Sequence, residues 1–231
     1  SLRKIPVRVQ ECAGFVVNRL LTPYLNEAAY ALQENAAPAK EMDEAMLALG
    51  LPMGPFALSD MIGIDVAEKV AHILYDAYGP RMEPAAILGK LVEAKRLGTK
   101  SGAGFYNYSN PKDDVVSKMI QEVQKQTGKK STTFSPTRLL LMMINEAVIC
   151  LQEDVASAAD IDIAMLAGIG FPQDKGGPLH YADQLGIDLV LNELEKHQKE
   201  FGFRFWPAPM LKRMVAAGYL GVKTKRGFFS Y

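Results

Sequence analysis

The 231-residue sequence has few of the features that mark a secreted, membrane-spanning or nucleic-acid-binding chain. Its two cysteines, Cys12 and Cys150, lie far apart in apolar stretches, so the sequence predicts neither a disulfide framework nor a CxxC metal site. The longest apolar runs, such as LLLMMI at 139–144, are far too short to cross a bilayer. Lysine and arginine number 26, as do aspartate and glutamate, so the net charge of zero provides no general attraction to nucleic acid or membranes. We therefore expect no nucleic-acid or membrane partner and a reduced setting, either the cytoplasm, which we favour, or an organelle matrix.

Signatures of phosphate or metal binding are also missing. No GxGxxG motif follows a strand and no P-loop occurs, and the glycine-rich GTKSGAGF at 98–105 follows a predicted helix instead. None of the histidines, His72, His180 and His197, has a second histidine or a cysteine at helical spacing, so no metal site is predicted.

The hydrophobic pattern predicts an all-α fold with one strand left over at the N-terminus. Apolar and polar residues alternate in KIPVRV at 4–9, which is typical of a strand. A lone strand leaves its backbone groups unpaired, so either it pairs with a segment that the pattern does not reveal or, as we favour, residues 1–12 are the end of a domain of a larger protein. Helices are predicted at 15–33 with a kink at Pro23, at 38–50, 56–61, 65–78 capped by Asp65, 84–98 and 114–128, and again from Pro136.

The second half of the chain repeats the first. GPFALSDMIGID at 54–65 returns as GPLHYADQLGID at 177–188, and 19 of the 55 residues in 54–108 are identical to their counterparts in 177–231. Before the intervening loop the offset between the copies is 119, and after it the offset is 123. We therefore predict two helical modules, a first copy at 13–108 and a second copy at 136–231, joined by a linker at 109–135. Two copies are too few for a solenoid, and they favour a pseudo-twofold pair within one chain, packed as a pseudo-dimer.

Asn18 differs between the two copies. It lies in GFVVNRLL, and its counterpart is Thr137, although Arg19 and Leu20 recur as Arg138 and Leu139. A polar residue at a helix start is commonly a cap that bonds to its own backbone. The asymmetry favours a second interpretation, in which Asn18 serves a function that only the first copy performs. Residues present in both copies, such as Glu27 with Glu146 and Asp60 with Asp183, are interpreted as structural.

Three separated segments carry a family resemblance. VRVQECAGFVVNRLLTPYLNEA, GLPMGPFALSDMIGID and GTKSGAGFYNY together resemble the C-terminal domain of NAD-dependent 3-hydroxyacyl-CoA dehydrogenases, a helical module of the 6-phosphogluconate dehydrogenase C-terminal type. The second copy is similar to the extra C-terminal module of multifunctional fatty-acid oxidation enzymes. The resemblance implies oxidation of 3-hydroxyacyl-CoA to 3-oxoacyl-CoA in β-oxidation, with NAD bound mainly by an N-terminal domain of the same protein. Residues 1–12 would be the end of that NAD-binding domain, with the predicted strand as the last strand of its sheet. The family's histidine–glutamate pair lies in that domain, so this chain alone is expected to be inactive.

The resemblance also implies roles for individual residues. Asn18 aligns with the family's active-site asparagine, which contacts the substrate, and Lys100 with a lysine that reaches toward the nicotinamide, although its twin Lys223 weakens that assignment. Leu21, Met53 and Phe56 are predicted to line an acyl pocket, and core packing explains them equally well. The implied partners are the acyl-CoA substrate, the NAD-binding domain and a thiolase subunit.

Two alternatives remain open from the sequence. The duplication alone is compatible with a purely structural assembly or dimerisation module that makes no contact with substrate. A related helical domain from a 6-phosphogluconate-type enzyme is a third interpretation, which GFVVNRLL and GFYNY disfavour. In the favoured interpretation the second copy is a built-in partner for the first.

Overall fold

The computed structural model describes residues 5–131 and 134–231, and within these ranges the chain is helical, which confirms the predicted all-α class. Strand-like pairing in this part of the chain is confined to isolated bridges within the loops at 98–107 and 221–230. The helices are α1 Val17–Gln33, α2 Ala39–Ala48, α3 Pro55–Ile62, α4 Ile64–Tyr78, α5 Ala86–Glu93, α6 Val115–Thr127, α7 Pro136–Gln152, α8 Ala158–Ile169, α9 Pro178–Leu185, α10 Ile187–Phe201 and α11 Pro209–Ala216.

The chain divides into two compact units whose boundaries fall inside two long helices. The split unit combines the described residues up to Leu21 with Leu140–Tyr231, and the central unit is Thr22–Leu139. The first turn of α1 therefore packs with the second copy, and the first turn of α7 packs with the first copy. Each unit is built from residues of both copies, which the repeat alone does not reveal.

The strand predicted at 4–9 does not form in the described residues 5–9. Alternation persists there, because Val7 and Val9 are partly buried while Arg8 and Gln10 are exposed. A strand also requires a neighbouring strand, and the described residues supply none. The segment is instead joined to the split unit by a hydrogen bond from the Gln10 amide to the Val155 carbonyl, at 2.7 Å.

The long helix α1 follows its predicted periodicity. The apolar residues at every fourth position are all buried, with at most 4% of their surface exposed: Val16, Leu20, Tyr24, Ala28 and Leu32. The helix continues through Pro23, which is itself buried. Tertiary packing of this face therefore outweighs the loss of one backbone donor.

A carboxylate from a neighbouring helix caps α3. Asp43, on α2, accepts hydrogen bonds from the amides of Phe56 at 2.9 Å and Ala57 at 3.1 Å. Gly54 stands at the N-cap, where an added Cβ would lie 2.2 Å from the Asp43 Cγ atom, so only glycine leaves room for this carboxylate. The second copy repeats the arrangement at α9, where Asp162 accepts from Leu179 at 2.8 Å and His180 at 2.9 Å.

The prediction that Asp65 caps α4 is wrong. The residue at the N-cap is Gly63, which has a φ of 102°, and Asp65 lies in the first helical turn. Its carboxylate instead pairs with Lys100, and this contact between distant segments is invisible to a local sequence pattern.

The buried cap of α9 predicts a pH dependence of stability. Burial raises the pKa of Asp162 from 3.8 to about 7, against the opposing effect of its two backbone hydrogen bonds. The folded state holds this proton more tightly than the unfolded chain, so the contribution to stability is complete below about pH 4 and is lost as the pH rises through about 7. We expect the free energy of unfolding to fall across this window, and Asp162→Asn to flatten the fall, as measured by urea unfolding at several pH values.

Asp113→Asn is the control for this pH experiment. Hydrogen bonds, first that from the Asn107 amide, lower the pKa of Asp113 to about 2, so its contribution changes only below about pH 4. Equal slopes between pH 4 and 7 in the native chain and in Asp162→Asn would contradict the prediction.

A buried carboxylate also organises the glycine-rich loop after α5. Asp60 is fully buried and accepts hydrogen bonds from the amides of Phe105 at 2.8 Å and Tyr106 at 3.0 Å and from the Tyr108 hydroxyl at 3.0 Å. An added Cβ at Gly104 would lie 2.0 Å from the same carboxylate. The second copy reproduces these contacts around Asp183: Phe228, Phe229, Tyr231 and Gly227. The recurring glycines and aromatic residues are thus explained by the fold, as their presence in both copies predicted.

Candidate functional site

Asn18 lies exposed in the first turn of α1, directly after an unusual backbone turn. Gly14 has a φ of 78° and Phe15 a φ of 47°, so two consecutive residues occupy the left-handed region. This conformation is rare for a bulky residue such as Phe15, whose side chain is 55% exposed. Strained backbone of this kind is concentrated at functional sites, where the surrounding structure holds it in place.

Asn18 is one of the residues that line an open groove of about 780 Å³ in the split unit. The amide of Asn18 is the only polar side chain among the described residues that line the groove. One wall comes from the N-terminal segment and the start of α1, and the other comes from α8 of the second copy. The remaining lining residues are Ile5, Val7, Val9, Gly14, Phe15, Val16, Val17, Ala164, Ala167 and Gly168.

The close contact between α1 and α8 at the groove depends on a glycine. An added Cβ at Gly168 would lie 2.9 Å from the Val17 Cγ2 atom, so a larger residue would push the two helices apart. The groove can therefore hold an apolar group beside a single side-chain amide that donates and accepts hydrogen bonds.

A buried arginine follows Asn18. Arg19 is completely buried, and its Nε and Nη2 atoms donate at 2.7 Å to the carboxylates of Glu146, on α7, and of Glu153, which directly follows α7. The same arrangement occurs in the central unit, where Arg138 donates to Glu27 at 2.7 Å and to Glu34 at 2.6 Å. We call these the Arg19 cluster and the Arg138 cluster.

Sequence reasoning anticipated a structural role for Glu27 and Glu146 and for the recurring arginines, but it missed Glu34 and Glu153. The signal was available, because all three members of each cluster recur at the constant offset of 119. The pairing within each cluster could not be predicted from the repeat, since each arginine contacts glutamates of the other copy.

Lys100 is engaged in an ion pair at the surface. Its Nζ atom lies 2.5 Å from Asp65 Oδ1, and both side chains remain partly exposed. The second copy contains the same pair between Lys223 and Asp188, also at 2.5 Å. A cofactor contact is therefore not needed to explain Lys100, and its predicted role stays a prediction.

The predicted acyl-pocket residues are distributed over both units. Leu21 is partly buried in the split unit. It follows Asn18 by three residues, so the two residues are neighbours on the surface of α1. Met53 and Phe56 belong to the central unit. Phe56 is 1% exposed and packs edge-on against Phe105, with ring centroids 4.8 Å apart, so its role in the structure is that of a core residue. Ligand contact by all three stays a prediction.

The part of the chain that the structure describes offers little support for a metal site, a nucleophilic cysteine or a membrane-spanning helix. No group of three or more histidine, cysteine, aspartate or glutamate side chains there could hold a metal ion. Both cysteines are free, and burial raises the pKa of the Cys150 thiol, which disfavours a nucleophilic role. None of the described helices is long and apolar enough to span a membrane.

Comparison with known proteins agrees with this architecture. The family model of the 3-hydroxyacyl-CoA dehydrogenase C-terminal domain matches residues 14–108 and 134–231. The chain is 40% identical over 218 residues to the fatty acid oxidation complex subunit alpha of Vibrio cholerae serotype O1, with 93% of this chain and 31% of that protein covered. The corresponding protein of Shewanella sp. strain ANA-3 is 42% identical over 221 residues, with 92% and 31% covered. The chain thus spans about a third of the length of these relatives.

Solved structures show the same fold. The 3-hydroxybutyryl-CoA dehydrogenase of Escherichia coli K12 aligns with a TM-score of 0.79 at 28% identity, covering 94% of this chain and 63% of that one. The dehydrogenase part of multifunctional enzyme 1 from C. elegans aligns with a TM-score of 0.62 at 26% identity, covering 91% and 50%. The chain therefore belongs to the 3-hydroxyacyl-CoA dehydrogenase family and carries the C-terminal domain of that family twice.

Proposed function

We propose that this chain is the substrate-side and pairing region of an NAD-dependent 3-hydroxyacyl-CoA dehydrogenase that acts in fatty-acid β-oxidation. The whole protein would oxidise 3-hydroxyacyl-CoA to 3-oxoacyl-CoA. Family membership and the names of the relatives support this reaction. A cytoplasmic location, a thiolase subunit as partner and inactivity of this chain alone are parts of the same proposal.

The exposed amide of Asn18 beside an apolar groove is the observation that carries the proposal. A 3-hydroxyacyl thioester has polar oxygens near one end and an apolar chain beyond them. A volume of about 780 Å³ lies within the usual range of ligand sites, and such sites combine apolar walls with a few placed polar groups. Asn18 would hold the oxygen-bearing end of the substrate in the orientation that the reaction needs.

NAD, when bound, would accept the hydride, and we assign its binding mainly to another domain of the parent protein. The described residues contain no glycine-rich turn between a strand and a helix, and Lys100 is already paired with Asp65. These residues do not form a dinucleotide site by themselves. Contact between Lys100 and the cofactor would require the nicotinamide end to share this lysine with Asp65.

Replacing Asn18 tests the proposal in the protein that carries the NAD-binding domain. We expect Asn18→Ala to lower kcat/KM for 3-hydroxyacyl-CoA oxidation by about tenfold to a hundredfold, because the bound substrate loses a positioning contact. NADH formation followed by absorbance measures the rate. Thr137→Ala is the matched control, since Thr137 occupies the equivalent exposed position of α7 and should leave the rate unchanged.

The Arg19 and Arg138 clusters favour a second candidate function, a module that only assembles the protein. They tie residues of both copies together in each unit, whether or not a substrate binds. If Asn18→Ala and Thr137→Ala both left NADH formation unchanged, the assembly function would be favoured and the substrate role of Asn18 would be rejected.

A further inference from the structure

We infer that Glu146 and Glu153 of the second copy position Asn18 of the first copy, with Arg19 as the connection. The inference rests on the proposed substrate role of Asn18. It assigns the second copy a part in the substrate site that goes beyond pairing. Glu146 and Glu153 are positioning residues in this arrangement, because they act through Arg19 without touching the substrate.

The contacts hold the first turn of α1 in one orientation. The planar Arg19 guanidinium donates two hydrogen bonds of 2.7 Å, from Nε to Glu146 and from Nη2 to Glu153. Arg19 and Glu146 are buried, whereas the Glu153 side chain is 44% exposed. Since Asn18 immediately precedes Arg19, a rotation of this turn that moves the amide also moves Arg19 relative to Glu146 and Glu153.

The turn before Asn18 needs such support. Gly14 and Phe15 both adopt left-handed backbone conformations, and the Arg19 amide reaches back to the Gly14 carbonyl at 3.3 Å. A strained turn persists only where contacts with the surrounding structure hold its backbone in place. The Arg19 cluster supplies a restraint on the helical side of this turn, four residues after Phe15.

The Arg138 cluster offers a natural comparison. It contains the same three residue types with hydrogen bonds of nearly the same length. The residue before Arg138, however, is Thr137, whose side chain carries no amide group. If the clusters only stabilised the fold, both would matter equally for catalysis. If the Arg19 cluster positions Asn18, the loss of its glutamate would affect turnover much more than the equivalent loss in its twin.

The experiment compares Glu146→Gln with Glu27→Gln in the protein that carries the NAD-binding domain. Both changes remove one buried carboxylate from an arginine, so we expect similar losses of thermal stability. We expect Glu146→Gln to lower kcat/KM by about tenfold to a hundredfold through misplacement of Asn18, and Glu27→Gln to leave it within about twofold. Equal activity losses in the two variants, or none in either, would overturn the inference.

A double variant separates positioning from general weakening. If Glu146 acts through Asn18, Glu146→Gln will lower kcat/KM little further in an Asn18→Ala background, whereas independent effects will multiply. Multiplying effects would overturn the inference. If Glu146→Gln fails to fold, the partly exposed Glu153→Gln replaces it, with the same two expectations.

The outcomes distinguish this inference from the proposed function. A large effect of Asn18→Ala without an effect of Glu146→Gln would overturn the positioning role alone. No effect of Asn18→Ala would reject the proposed function, and the inference with it.

Discussion

Replacing Arg138 with methionine is expected to lower the free energy of unfolding by about 3–5 kcal/mol, the range found when one partner of a buried ion pair is removed. Arg138 is 1% exposed and donates to Glu27 and Glu34, both buried in the central unit. Methionine leaves these carboxylates away from water without the guanidinium that balances their charge. Urea unfolding followed by circular dichroism measures the change.

The control removes the carboxylates as well. Adding Glu27→Leu and Glu34→Leu to Arg138→Met replaces the Arg138 cluster with apolar side chains, which is often neutral or even stabilising compared with an intact buried ion pair. We expect this triple variant to regain most of the stability lost in the single variant. A loss of less than about 1 kcal/mol in Arg138→Met would place the pair among surface-like ion pairs and contradict the prediction.

Replacing Asp60 with alanine is expected to lower the free energy of unfolding by about 3–5 kcal/mol. The amides of Phe105 and Tyr106 lose their hydrogen-bond acceptor, and each buried group left without a partner costs about 1–3 kcal/mol. The Tyr108 hydroxyl, which donates to Asp60 Oδ2 at 3.0 Å in the native chain, also loses its acceptor. We expect the glycine-rich loop to loosen, so hydrogen exchange at Phe105 and Tyr106 should accelerate along with the loss of stability in urea.

Two further variants test the explanation for Asp60. Asp183→Ala should behave similarly, since Asp183 receives the same three hydrogen bonds in the second copy. Asp65→Ala removes an exposed carboxylate that pairs with Lys100, and it should have little effect on stability. If Asp60→Ala were no worse than Asp65→Ala, the buried carboxylate would not organise the loop.

Several features of this protein could be predicted from short stretches of sequence. The four-residue spacing of apolar residues in α1 predicted both the helix and its buried face, because periodicity depends only on local geometry. The repeat separated residues that serve the fold, such as Asp60 and Asp183, from Asn18, whose counterpart is threonine. That asymmetry indicated a function for Asn18 that only the first copy performs, and the family resemblance implied that this function is contact with the substrate.

Tertiary structure alone decided which partners these residues take. Arg19 pairs with Glu146 and Glu153 rather than with Glu27 and Glu34 of its own copy, and the groove beside Asn18 has a wall from α8. The predicted strand does not form at the described residues 5–9 for a related reason, because strand formation depends on a neighbouring strand that local alternation cannot supply. Helices are thus set by interactions over a few residues, whereas the two arginine clusters and the walls of the groove are set by packing between residues more than a hundred positions apart.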